Sequence, residues 1–568
     1  VSGLNINITG WLLNNMICKK LLHILVSVLL PLASVNLVQA QKFEAIGPRN
    51  PVQLSQGLAG SVEVTFDLLP TTMSFDLPWH YCMVAENGIK FANLAPRTYG
   101  ILAGKDSLFA PGMDKEGRYV RVWIEQASAA RIVVRIRYAL CNADYKIAHA
   151  DIHSNSPYGD GDWGDEWYYI YPDGTYVRHI KLYTGLASMS LPFGFDREPP
   201  QVVHEFMVSV VIGTQGHVPS DDINTDCLRL IKLVGNHTGD IYRNGKDTTV
   251  SYNPCPQDYG DFSRANIMLI NSRSAYKPFT IGLPYGSVVL PYVPENGNTY
   301  PFETWTGYEE TDIAYVSAIG YMLNYWHFRR TQTTLEQIYL HGMTNVTDPQ
   351  ADLVHLAWSW ISAPRLLMSG LKYDYLKFVY DQTQRAYILP RESRGPETLE
   401  FMLDEYENMN APMRLVNPAF VVRNWDDTTH GIVLKVNNNV MEAGKDYRFG
   451  YEQTEDGQDL VIWLQLNTRS EINISVEPSF NTIEEQIRSD FVSISPSPAS
   501  DKIDIALFKT INHVNIEICD LAGKICFANS YRSENIAIDI SDLAAGIYIV
   551  IVKSKDGTVL AAEKVMKG

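Results

Sequence analysis

Positive charge is scarce in this 568-residue chain: 47 lysines and arginines stand against 64 acids, a net charge of −17. That balance gives no electrostatic reason to expect nucleic acid or an anionic membrane surface as partner, although a local basic patch can still hold a polyanion. Cysteine is scarce too, with seven in all, and none stands at the spacing of a metal-binding cysteine–histidine set. The sequence contains no P-loop, no Ser-His-Asp elbow, no His-Glu-x-x-His pair and no Cys–His arrangement. Heptads and internal repeats of useful length are also missing, which excludes coiled-coil and solenoid architectures.

One long apolar run does occur, and it lies at the start. Met16-Ile-Cys-Lys-Lys gives a charged beginning, Leu21 to Leu37 is apolar apart from Pro31, and Val38-Gln-Ala40 offers small residues for cleavage before Gln41. This is the pattern of a secretory signal over residues 16–40, too short and too clearly followed by a cleavage site for a stable membrane span. Residues 1–15 read as upstream extension. Cys18 leaves with the signal, and the other six (Cys82, Cys141, Cys227, Cys255, Cys519, Cys526) are even in number, as disulfides in an exported chain allow. Cys519 and Cys526 are placed either to bridge across a hairpin turning at Ala522-Gly523 or to stay apart as buried thiols.

Beyond the leader, alternation of apolar and polar residues dominates. Arg118-Tyr-Val-Arg-Val-Trp-Ile and Ala130-Arg-Ile-Val-Val-Arg-Ile-Arg-Tyr read as neighbouring antiparallel strands joined by Glu125 to Ala129. Arg131, Arg135 and Arg137 then share one face and Val134, Ile136 and Tyr138 the other. That arginine face is either simply solvated or the floor of an anion-binding groove. Texture changes after residue 300, where Asp312 to Phe328, Ala351 to Ser359 and Leu399 to Tyr406 suggest short amphipathic helices. Strand patterning returns later, and a polar stretch over 481–492 separates off a last segment of short alternating strands. The expected fold is mainly β: a large sandwich-like region at 41–300, a mixed helix-and-strand region at 301–480, a linker at 481–492, and a small immunoglobulin-like sandwich at 493–568.

Chemistry concentrates between His149 and Tyr183. Trp167-Tyr-Tyr-Ile-Tyr and Thr175-Tyr-Val-Arg-His-Ile-Lys-Leu-Tyr flank a Pro172-Asp-Gly174 turn and predict a β-hairpin. Tyr169 and Tyr171 point one way and Tyr168 the other. Tyr176, Arg178 and Ile180 share one face, while Val177, His179 and Lys181 take the opposite one. The preceding loop carries His149, His153, Asp160, Asp162 and Asp165, and His204 opens a later strand. The acids Asp160, Asp162 and Asp165 have the hard oxygen ligands that Ca²⁺ takes, so Ca²⁺ is the one cofactor the pattern admits, without EF-hand spacing. Solvated turn acids, cross-strand tyrosine packing and satisfied half-buried histidines are the plain alternatives.

Two resemblances add to this. Pro498-Ala-Ser-Asp-Lys, Asp520-Leu-Ala-Gly-Lys and Leu543-Ala-Ala-Gly-Ile-Tyr, in that order, resemble the C-terminal sorting domain of the type IX secretion system of Bacteroidetes over residues 493–568. Ser495-Pro-Ser-Pro stands where Pro-Asn-Pro is commoner. The resemblance implies the type IX machinery as partner and a secreted or cell-surface location. Tyr138-Ala-Leu, Gly161-Asp-Trp-Gly-Asp-Glu-Trp-Tyr, Val203-His-Glu-Phe, Leu356-Ala-Trp-Ser-Trp and Asn417-Pro-Ala-Phe-Val-Val-Arg-Asn-Trp are similar to secreted polysaccharide lyases, most nearly the ulvan lyases of marine Bacteroidetes, over about 43–478. No catalytic motif of that family matches residue by residue.

The implied activity is β-elimination on an acidic, uronate-containing polysaccharide, sulfated or not. Such a reaction needs a base for the C5 proton, a donor for the leaving oxygen and a cationic grip on the carboxylate. On this reading His149 or His153 is the base with His204 in reserve, Tyr169 or Tyr171 the acid, and Arg178, His179, Arg135 and Trp167 hold substrate. Two other readings use the same residues: a glycoside hydrolase pairing Asp165 with Glu205, and a non-catalytic glycan-binding surface protein.

Overall fold

A computed structural model describes residues 42–567, apart from short interruptions and longer ones at 101–108, 189–201, 252–259, 292–312, 369–378, 405–413 and 483–491. The expected leader and Cys255 lie outside the described residues. Among those described, no helix is long and apolar enough to cross a membrane, and none of Cys82, Cys141, Cys227, Cys519 and Cys526 is in a disulfide.

The chain is mainly β. An 8-stranded and an 11-stranded sheet face each other across a core that includes Val64, Met73, Phe75 and Phe91 from the first and Val122, Ile136, Tyr168 and Ile180 from the second. Four strands of the larger sheet run consecutively: β1 (Arg121–Ala127), β2 (Ile132–Ala139), β3 (Trp163–Ile170) and β4 (Tyr176–Tyr183). A fifth, β5 (Thr334–Thr344), pairs with β4. The predicted hairpin is β3–β4, paired without slippage from Trp163↔Tyr183 to Ile170↔Tyr176. The alternation places side chains as expected: Val134, Ile136 and Tyr138 enter the core, while Arg135 and Arg137 stay partly exposed.

Two helix expectations are corrected. Ile313–Asn324 is a strand paired with Val208–Thr214, and Leu399–Asp404 is a strand paired with Ile472–Thr482. Apolar runs such as Ile313-Ala-Tyr-Val-Ser-Ala-Ile suit a buried strand as well as a helix, and sheet pairing decides between them. Because Ile313–Asn324 and β5 belong to the two large sheets, the first sandwich extends well past residue 300.

The third expected helix is present as α1 (Gln350–Ile361). Leu353, Val354, Leu356, Ala357 and Trp360 pack on Val177, Ile338 and Leu340, which project from the outer face of the large sheet. Each large apolar side chain so buried contributes roughly 1.5–3 kcal/mol. A second sandwich of two 5-stranded sheets lies between Arg365 and Thr482, with a core including Leu389, Phe401, Phe420, Trp425 and Leu434. It locks to the first through Tyr171, Ala386, Val421 and Trp463 and through the Arg131–Glu452 ion pair, in which Arg131 Nε donates to Oε1 over 2.9 Å. The last described segment, Val492–Lys567, forms a 3-stranded and a 4-stranded sheet around Ile503, Ile516, Ile538 and Val550.

Candidate functional site on the outer face of the large sheet

The outer face of the large sheet changes character along β4 and β5. Where α1 covers it the side chains are apolar, Val177 and Leu340; further along they are His179, Lys181 and Tyr183 on β4 and Glu336 on β5. The uncovered part is read rung by rung from the strand register. One rung runs Trp123–Arg135–Trp167–His179 across β1 to β4. The next runs Arg121–Arg137–Asp165–Lys181–Glu336.

These rungs are tightly organised. Arg135 lies 4.4 Å from the Trp167 ring and 5.1 Å from that of Trp123, while Arg137 lies 3.7 Å from the Tyr158 ring. Such contacts hold guanidinium groups flat against aromatic faces. Asp165, wholly buried beneath, accepts from Arg135 Nη2 at 3.0 Å, from Arg137 Nε at 3.4 Å and from the Tyr158 hydroxyl. Burial and the Asp165 contact push the Tyr158 hydroxyl up to about 12, so it is a protonated phenol at neutral pH. His179 stacks on Trp167 with ring centroids 5.3 Å apart, and its Nε2–H donates to Glu336 Oε2 over 3.0 Å. The His179 hydrogen bond, with Lys181 and Arg329 close by, holds the Glu336 carboxyl below its ordinary value against the opposing effect of burial. A carboxylate fixing one imidazole nitrogen leaves the other, here Nδ1, oriented as a proton acceptor.

His149, His204 and Asp162 also come together, but in the interior. His149 Nδ1 (3.1 Å), His204 Nε2 (3.3 Å) and the Thr98 hydroxyl (3.0 Å) all donate to Asp162 Oδ2. His149 adopts φ 53°, a left-handed conformation rare for a side-chain-bearing residue. Gly161, at φ 90°, is required beside it, since a Cβ there would stand 2.7 Å from the Ala148 carbonyl oxygen. With the His149 and His204 side chains 2% and 0% exposed, this is a knot tying loop, hairpin and neighbouring strand rather than an accessible base. Burial raises the Asp162 pKa, but the hydrogen bonds from His149 and His204 outweigh it and hold the carboxyl far below its ordinary value. A depressed carboxyl stabilises the fold above its unfolded pKa, about 3.9, and that stability is lost as pH falls through the folded value. Asp162→Asn is therefore expected to lower stability at neutral pH by about 1–3 kcal/mol and to flatten the fall in melting temperature below about pH 4. Thermal melts across pH 2.5–7 (a range set about the ordinary carboxyl pKa) check this.

The remaining expectations sort by burial. Arg178, expected to grip substrate, is wholly buried, its guanidinium paired to Glu166 through Nε at 2.6 Å and Nη2 at 2.9 Å. Being adjacent on a strand, Arg178 and His179 face opposite sides and cannot hold one group together. Tyr171 is also buried, and its hydroxyl donates to the Gln384 carbonyl at the joint between sandwiches. It serves that joint, not an acid's role. Tyr171→Phe is accordingly expected to cost about 1 kcal/mol of stability, as a comparison of denaturation midpoints would show.

His153, in contrast, is exposed, and its Nδ1 lies 2.9 Å from Asp160 Oδ1. That hydrogen bond raises its pKa, and no aromatic ring or cation of the outer-face rungs is in contact with it among the described residues. Asp160, Asp162 and Asp165 each answer to a different partner set and do not converge on one cation, as the Ca²⁺ expectation required. Among the described residues no group of three or more His, Cys, Asp or Glu side chains is arranged to hold a metal ion. Asp165, one half of the hydrolase reading, is bound by two arginines, and the Glu205 side chain lies outside the described residues. Four residues escaped the sequence reading as site members: Tyr158, Trp163, Lys181 and Glu336. Glu336 lies 157 positions from His179, and only sheet pairing unites them.

An endo-acting ulvan lyase from Formosa agariphila is 29% identical over 116 residues, which is 20% of this chain and 22% of that protein. The chain thus matches about a fifth of the length of that curated relative. Two solved structures show faint likeness: a copper-containing benzylamine oxidase from Hansenula polymorpha (7% identity, 55% of this chain and 65% of the other, TM-score 0.23) and PorZ, a surface component of the type IX secretion system of Porphyromonas gingivalis (11%, 90% and 68%, TM-score 0.12). Neither carries an argument at those scores. Residues 493–567 match the family described as the secretion system C-terminal sorting domain. The small terminal sandwich is therefore a type IX sorting domain, and the chain is exported to the cell surface or beyond.

Proposed function

We propose that this protein cleaves an acidic, uronate-containing polysaccharide outside the cell by β-elimination, on the outer face of the large sheet. The observation that carries the proposal is His179, fixed by Glu336 and stacked on Trp167 within one rung of Arg135. His179 Nδ1 takes the C5 proton. Arg135 and Lys181 neutralise the sugar carboxylate as negative charge develops, which is where preorganised cations lower the barrier most. Tyr158, a protonated phenol that accepts from Arg135 Nη2 and donates to Asp165 at rest, turns its O–H from Asp165 to the leaving oxygen. Trp167 and Trp163, both partly exposed, offer faces on which sugar rings stack. The distant similarity to an ulvan lyase supports this class of reaction and suggests ulvan as the first substrate to try.

A second reading rests on the same aromatic–cation surface: stacking and ion pairing alone would hold a polymer without cleaving it. One assay separates the two. The exported protein is incubated with ulvan and a panel of other uronate polysaccharides while absorbance is followed at the short-wavelength ultraviolet band of a conjugated unsaturated carboxylate. Rising absorbance reports the unsaturated uronate of an elimination. A flat trace with retained binding in affinity electrophoresis would favour the binding protein, and new reducing ends without absorbance would favour hydrolysis.

A further inference from the structure

A groove of about 210 Å³, open to solvent, runs between the first and second sandwiches. It continues the ladder of the outer face. Two residues along β2 and β3 from Arg135 and Trp167, the next rung pairs Val133 with Tyr169, about 7 Å further on, and both residues line the groove. A β-bulge in β1, between Ile124 and Gln126, turns Gln126 onto this rung opposite Val133. Bulges are favoured where a side chain has to be re-aimed beside a site. Its opposite wall comes from the second sandwich: Gln384, Val421, Arg423 and Thr454.

The chemistry here differs from that of the neighbouring rungs. Both cations that line the groove are already engaged: Arg131 with Glu452 and Gln384, and Arg423 with Asp459. Glu125, also on the lining, pairs with Arg135 at 3.8 Å, and burial raises its carboxyl above the ordinary value. The lining amides and the threonine hydroxyl are partly engaged too, Gln126 Nε2 donating to the Gln453 carbonyl, Gln384 Nε2 to Asp381 and Thr454 Oγ1 to the Gly457 carbonyl. What meets a ligand is their spare hydrogen-bonding capacity and the Tyr169 hydroxyl, for which no partner stands among the described residues. We infer that this groove is a sugar subsite for an uncharged, hydroxyl-rich unit, next to the subsite that takes the acidic one. The substrate class that fits both is a polymer in which acidic and uncharged sugars alternate. The inference rests on the proposed function for its acidic neighbour, yet the groove is testable alone.

The probe is a panel of neutral tetrasaccharides of gluco, xylo, manno and galacto configuration, titrated calorimetrically into the full exported chain. At least one is expected to bind. Thr454→Trp, which fills the groove, is expected to weaken that binding about tenfold or more, and Gln126→Ala by a few-fold, while Arg135→Ala leaves it unchanged. Circular dichroism confirms that each variant is folded; if Thr454→Trp is not, Gln126→Ala carries the test. No binding by any of the four, or binding indifferent to the groove variants, would overturn the inference. Groove-dependent binding together with no affinity for any uronate polymer would instead leave the groove standing and remove the acidic subsite.

Discussion

His179→Ala is expected to reduce turnover of an acidic polysaccharide by about 10²–10⁴-fold, the usual worth of a positioned general base, with KM changed far less. The loss falls on kcat because His179 acts on the proton that moves in the transition state and contributes little to holding the polymer. Glu336→Gln should give a smaller loss, since an amide still accepts the Nε2–H but no longer stabilises the imidazolium that forms. Arg135→Ala should split differently, raising KM and lowering kcat together, because the guanidinium meets the sugar carboxylate both before and during proton removal. Steady-state kinetics on the three variants checks this pattern. Equal kcat for His179→Ala and wild type would remove His179 from the chemistry.

Arg178→Met is expected to have the largest effect on stability, about 3–5 kcal/mol, the usual cost of leaving one member of a buried ion pair alone. Glu166 accepts from Arg178, Tyr138 and Tyr168, all inside the core. Burial would raise its pKa, but the Arg178 charge prevails and keeps it ionised. Without Arg178 that carboxylate must stay charged and poorly paired or take up a proton. Arg178→Met combined with Glu166→Gln should recover much of the loss, because two neutral groups replace the stranded charge. Urea denaturation of the single and double variants measures both terms. An Arg178→Met protein as stable as wild type but unable to bind polysaccharide would return Arg178 to the role of substrate ligand.

The contrast between Arg178 and His179 shows how far the sequence could be read. Alternation placed them on opposite faces of β4, and the Pro172-Asp-Gly174 turn located the hairpin. Alternation does not say which face a second layer will cover, so an inward arginine looked like a substrate ligand. The same limit applies to His149 and His204, whose acidic partner Asp162 was in view but whose burial depends on strands distant in sequence. Glu336 was illegible for another reason: its strand pairs with β4 only after the chain has crossed between both sheets. The sorting domain was legible because its strands and turns are local and end at their own core.

Hydroxyl-radical footprinting of the exported chain, with and without ulvan, tests the central claim most directly. The account predicts that Trp163, Trp167, His179 and Tyr183 lose reactivity together when polymer is bound, while His153 and the exposed side chains of the sorting domain do not. Bound polymer that protects His153 or the sorting domain and leaves Trp167 and His179 as reactive as before would contradict it.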